Sequence, residues 1–156
     1  MMKQKLDKIL GNFLVILMVC IVIAVLWQVF SRYVLHSPSS YTEEISRFLL
    51  IWIGVLGAAY ASGQQEHLAI NILPPKLDEK NRIRLRVFIN ILIILFCFVV
   101  LIIGGGNLVY MNYDLGQTSA ALSLPLSFVY LVVPLSGILV IVYKVNEIIN
   151  AKTFLA

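Results

Sequence analysis

The sequence predicts an all-α integral membrane protein with four transmembrane helices, both termini cytoplasmic, and a short interfacial amphipathic segment between the second and third helices. Three observations carry that prediction. Of the 156 residues, 60% are hydrophobic and 13% charged, and the mean hydropathy is +0.93, well beyond the soluble globular range. A soluble domain of this size cannot hide that much apolar surface, so a bilayer must cover it. The charges bracket four long apolar runs, and nearly all Lys and Arg fall on one side of those runs. A net charge of +4 raises the question of nucleic acid, but the basic residues flank apolar segments and do not interleave with aromatics, which is a topology pattern.

The whole chain, 1–156, reads as one membrane domain, with spans at about 9–31, 43–65, 87–111 and 124–145 and the interfacial segment at about 68–86. Between Lys8 and Arg32 no charge occurs over 23 residues, enough to cross a hydrocarbon core of about 30 Å at about 1.5 Å per residue. Trp27, Phe30 and Tyr33 cluster at its far end, where aromatic rings favour the headgroup level. The basic start resembles a signal peptide, but the apolar run is too long for one and ends without a small-residue cleavage site. It therefore reads as an uncleaved first span.

HSPSSYTEE follows, with Pro38 and several hydroxyls. Ser40 and Glu43 match a capping box, and Glu43 and Glu44 fall in a first turn, where the helix dipole favours negative charge. The second span runs on from there. Gly54, Ala58 and Ser62 recur every four residues, with Gly57 and Ala61 beside them. Such a face lets another helix approach closely where lipid is as apolar as leucine, so the second span is expected to be the most protein-covered. After it, HLAINIL alternates apolar and polar residues and reads either as extended or as lying in the interface plane, and the Pro74-Pro75 KLDEKNRIRLR stretch reads as interfacial, with basic side chains toward water or anionic headgroups.

Val87 to Tyr113 holds no charge over 27 residues, more than a perpendicular span needs. Gly104-Gly105-Gly106 near its end lacks the Lys and the strand-to-helix context of a phosphate loop, so it reads as a kink or a tight helix contact. Ser123 and Pro125 open the fourth span, and Pro134 bends it. Lys144, Glu147 and Lys152 mark its exit. Ten of the twelve Lys and Arg residues lie on the side of the termini and the second connection, and only Arg32 and Arg47 on the other. This places both termini in the cytoplasm.

Catalytic chemistry finds no support. HExxH, GxSxG, Walker A and paired mid-membrane histidines are all missing, and His36 and His67 fall at opposite ends of the spans. Cys20 and Cys97 stand alone in apolar runs and read as small buried fillers, with no metal or other cofactor implied. An autonomous carrier needs an ionisable group near mid-bilayer, whereas here the deepest polar residues are Asn90, Asn107, Ser136 and Gln28. The unusual feature is the charge group at the outer end. Glu43 or Glu44 can pair with Arg47 on one helix face, and Arg32 can reach over from the first span. It reads either as a local ion pair or as an assembly site.

The order RY at 32–33, EE-x-x-R at 43–47, Trp52, the GxxGAAxA run at 54–61, His67 closing the helix and a later G-x-x-S-x-A-L-x-x-P stretch (Gly116 to Pro125) resembles the small, DctQ-type membrane subunit of tripartite ATP-independent periplasmic (TRAP) transporters. The resemblance covers nearly the whole chain. It implies a non-catalytic subunit in the bacterial inner membrane, partnered by a separate large membrane subunit driven by a sodium gradient and by a soluble periplasmic protein that captures an organic anion such as a C4-dicarboxylate, sialic acid or another sugar acid. The small subunit would brace the large one and help form the docking surface. Arg32, Glu43, Glu44 and Arg47 match the family's outer charged motif and His67 its closing histidine; Gln64, Gln65 and Glu66 depart from the basic residue many relatives carry there. The residues expected at partner interfaces are these together with Trp52, Gly54, Gly57, Ala58, Ala61 and Ser62. The alternative is an autonomous four-helix carrier or exporter acting as a homo-oligomer.

Overall fold

Long uncharged runs leave the backbone no partner but itself, and in a bilayer that condition selects helices. The computed structural model, described here for residues 2–37, 39–64 and 79–149, is accordingly helical. Its elements are α1 (Met2–Tyr33), α2 (Ser40–Gln64), α3 (Glu79–Phe96), a π-helical segment (Cys97–Gly104), α4 (Gly105–Asp114), α5 (Leu126–Tyr130) and α6 (Val132–Ile149). Among the described residues, four stretches are long and apolar enough to cross a membrane: Lys5–Tyr33, Ser40–Gln64, Ile83–Asp114 and Leu126–Ile149. Residues 65–78, with His67 and most of the expected interfacial segment, lie outside the described residues. From Glu79 onward the chain is already helical and continuous with the third span.

α1 packs on α2, α2 on α6, and α6 on α3 and the π-helical segment. On α1 the buried residues are Leu10, Leu17, Ala24 and Ser31, one every seven positions. A strict seven-residue stripe is the narrow seam of two helices wound around each other with a left-handed twist. Cys20 lies off this seam and is exposed, whereas Cys97 is buried. Only one of the two cysteines is therefore the buried filler expected from the sequence.

The last span, not the second, is the most enclosed within the chain. Val132, Ser136, Gly137, Val140, Tyr143 and Lys144 form a broad buried stripe on α6, because α6 has α2 on one side and α3 on the other. Two glycines permit that packing. A Cβ on Gly137 would stand 2.8 Å from the Leu101 Cβ, and one on Gly63 would stand 2.8 Å from the Tyr143 ring. Of the 104–106 glycines, Gly105 makes the tight contact, with a Cβ position 2.8 Å from a Val133 methyl, while Gly106 faces open space. The departure from α-geometry begins upstream of the triplet, at Cys97.

Pro134 breaks the last span one turn earlier, at Leu131. A backbone carbonyl beside such a break needs a donor. The indole N–H of Trp52 donates to the Val129 carbonyl at 3.1 Å, and its ring meets Phe13 and Phe128. One side chain on α2 thus ties α1 and the broken fourth span together.

Candidate functional site

Ser39, just before α2, is the residue that caps it, one position earlier than the capping box suggests. Its backbone carbonyl accepts from the Glu43 N–H at 3.3 Å and from the Thr42 hydroxyl at 3.0 Å. From that start, residues advance by about 100° around the helix axis, which divides α2 into two opposite sides. Leu56, Ala59 and Gly63 are buried against the rest of the bundle. Gly54, Ala58 and Ala61 are exposed on the other side, with Gly57 half-buried beside them and Ser62 half-buried at the edge. A Cβ built on Gly54 or Gly57 meets nothing within 4 Å. The two glycines that suggested close packing therefore make none within the chain.

Glu43 and Arg47 continue this outward side toward the start of α2. Arg47 donates to a Glu43 carboxylate oxygen at 3.1 Å, and the two side chains are 65% and 51% exposed. An ion pair this wet contributes about 0–1 kcal/mol. The structure selects the i, i+4 partner, Glu43, over Glu44. Arg32, at the end of α1, is exposed, and no ion pair among the described residues includes it. His36, in the turn that follows, is exposed with a left-handed backbone (φ 52°).

Glu44 turns the other way. One of its carboxylate oxygens accepts the backbone N–H groups of Ala121 and Leu122, at 3.1 and 2.9 Å. These belong to the connection between α4 and α5, which is itself tightly bonded. α4 ends with Gly116 in the left-handed region, the Gln117 N–H bonded to the Asn112 carbonyl and the Gly116 N–H to the Tyr113 carbonyl, a Schellman ending. Beyond it Thr118 bridges Pro125, Ser119 N–H donates to the Leu124 carbonyl at 2.9 Å and Leu126 N–H to Gln117 at 3.0 Å. Successive N–H groups pointing out of a turn form a concavity for an anion, and here the chain's own carboxylate fills it.

A second charged group lies at the opposite end of the bundle. Lys144 is 6% exposed; its ammonium donates to Glu147 at 2.9 Å, and the Arg86 Nε stands 3.8 Å from the other Glu147 oxygen. Arg86 and Lys144, expected from the sequence to be topology and headgroup residues, are instead packed between α3 and α6. The i, i+3 spacing of Lys144 and Glu147 was the one visible hint; nothing in the sequence linked them to Arg86. Of the polar residues within the spans, Asn90 and Ser136 are buried in the protein and Asn107 is exposed.

The expected interface residues thus separate. Glu43, Arg47, Gly54, Gly57, Ala58 and Ala61 share one outward side, while Glu44 and Trp52 serve contacts within the chain. Among the described residues no group of His, Cys, Asp or Glu is arranged to hold a metal.

Comparison with known proteins gives the family. The family described as "Tripartite ATP-independent periplasmic transporters, DctQ component" matches residues 21–153. A putative TRAP transporter small permease protein of Haemophilus influenzae is 28% identical over 133 residues, covering 85% of this chain and 81% of the relative. The sialic acid TRAP transporter small permease protein SiaQ of Vibrio cholerae is 26% identical, covering 97% and 88%. The isethionate TRAP transporter permease protein DctMQ of Oleidesulfovibrio alaskensis is 32% identical over 80% of this chain but only 20% of its own length. The chain is a multi-pass inner-membrane protein and belongs to the DctQ-component family of TRAP transporters.

Proposed function

We propose that this chain is the non-catalytic small subunit of a sodium-driven, binding-protein-dependent importer of organic anions, that it braces a separate large transport subunit, and that its Glu44 end faces the periplasm and helps form the docking surface for the soluble capture protein. The observation that carries this reading is the outward side of α2. A transmembrane helix with both of its sides apolar has no reason to collect Gly54, Gly57, Ala58 and Ala61 opposite its buried stripe unless a second backbone comes close there. The Glu43–Arg47 pair at the top of the same side supplies charge at the rim. Support for the substrate class comes from relatives named for sialic acid and isethionate, both anions at neutral pH. Support for a large partner comes from the longer DctMQ relative, in which the matching region is a fifth of the protein. The orientation rests on the Lys and Arg asymmetry.

The test is Gly54→Leu and Ala58→Leu, each in the full chain co-expressed with its large subunit. A Cβ at Gly54 meets nothing within 4 Å and Ala58 is exposed, so the variants are expected to accumulate and fold normally while co-purification of the large subunit falls at least ten-fold. Undiminished co-purification, or solute flux by this chain reconstituted alone, would remove the proposal.

A further inference from the structure

We infer that Glu44 is a positioning residue for the outer docking surface, and that the surface it positions is the α4–α5 connection, presented to a soluble protein. The inference rests on the orientation and partners proposed above and assigns the docking role to particular residues.

The two neighbouring glutamates look equivalent in sequence, yet their geometry differs. Glu43 is exposed and bonded to Arg47 on its own helix. Glu44 is half-buried and bonded to backbone 77 and 78 residues away. The connection it holds is closed on itself by the Thr118–Pro125 bridge and the Ser119–Leu124 and Gln117–Leu126 bonds. Its tip is the place where backbone donors are left over. Ser123 there has a left-handed backbone (φ 55°), a conformation that a non-glycine residue keeps only when its surroundings impose it. Ser119 supplies that constraint, its carbonyl accepting the Ser123 N–H at 3.1 Å; Glu44 accepts the two N–H groups just before it, those of Ala121 and Leu122, and so fixes the hairpin to the start of α2 as one body.

What this body presents is a mixed face: Asp114, Gln117, Thr118 and Ser123 are exposed on it beside Leu115 and Leu124. Its hydroxyl, amide and carboxylate groups are costly against lipid tails or in a close-packed helix contact, and polar groups interspersed with apolar ones are what a non-obligate protein interface is made of, so the partner this face suits is a soluble protein. Holding such a surface rigid lowers the ordering cost of binding. Loss of the clamp is therefore expected to weaken docking without removing a single contact atom.

The experiment uses the full complex of this chain with its large subunit, in liposomes, with the purified soluble solute-binding protein of the same system as the titrant. Glu44→Ala is expected to speed hydrogen exchange of the Ala121 and Leu122 amides at least ten-fold. It is also expected to raise the concentration of binding protein giving half-maximal uptake about ten-fold, with the maximal rate within two-fold of the parent. Glu44→Gln, which keeps one acceptor oxygen, is expected to fall between the two. Gln117→Trp, on the exposed face, should raise the half-maximal concentration similarly while leaving the exchange of Ala121 and Leu122 unchanged. Unaltered amide exchange in Glu44→Ala overturns the positioning role. Faster exchange with an unchanged titration overturns the docking role. Loss of large-subunit co-purification in Glu44→Ala overturns the choice of a soluble partner. Failure of the parent chain to co-purify with a large subunit would instead overturn the reading under "Proposed function".

Discussion

Glu147→Ala is expected to destabilise the folded chain by about 3–5 kcal/mol, the cost of stranding a buried charge. Lys144 is nearly inaccessible, and Glu147 is the carboxylate that both Lys144 and Arg86 approach. Without it two cations face one another between α3 and α6. The measurement is an SDS unfolding titration of the purified protein in mixed micelles, in which the variant midpoint should drop well below that of the parent. Replacing all three together, Arg86→Met, Lys144→Met and Glu147→Leu, should recover most of the loss, because packed apolar side chains carry no desolvation penalty. If Glu147→Ala matches the parent, the triad is solvated and contributes only what a surface pair does.

Gly137→Ala is the second large effect. Its new methyl would stand 2.8 Å from the Leu101 Cβ, an atom fixed to its own backbone, and 3.2 Å from the Ile102 side chain. A clash with a Cβ is not relieved by a rotamer change, so α6 must move away from the π-helical segment. The expected cost is about 1–3 kcal/mol in the same titration. Gly106→Ala is the matched control. It meets no atom within 4 Å, and removing a flexible glycine from a helix should leave stability unchanged or raise it by about 0.5–1 kcal/mol. Equal effects at the two positions would show that helix propensity, not contact, decides them.

The four spans were legible because charge is so sparse within them. What packs against what was not. In a soluble helix the buried stripe stands out against polar neighbours, but on α1 the neighbours of Leu10, Leu17 and Ala24 are themselves apolar, since they face lipid. The seven-residue seam is therefore invisible in hydropathy. Small residues were easily seen on α2, yet the chain turns that surface outward and uses Leu56, Ala59 and Gly63 for its own packing. Which side faces in depends on the geometry of α6, nearly eighty residues away. Glu44 was visible as part of a charged motif, but its partners are backbone N–H groups, which every non-proline residue possesses and no pattern of side chains reveals. Arg86 and Lys144 were counted correctly as basic residues at span ends. Their shared partner could be found only when α3 and α6 were placed side by side. The π-helical segment has no composition of its own, and Cys97–Gly104 reads like any apolar helix.

The two-sidedness of α2 also bears on how the chain enters the bilayer. α2 is the least apolar of the four spans, as expected of a helix that meets protein on one side within the chain and carries glycine and alanine on the other. A segment gains less from leaving water when its side chains are small. Its insertion during synthesis is therefore expected to lean on α1, which precedes it by a short connection and is among the most apolar spans. On that expectation the seam of Leu10, Leu17, Ala24 and Ser31 serves biogenesis as well as the finished fold, as the surface on which a marginal second helix is received.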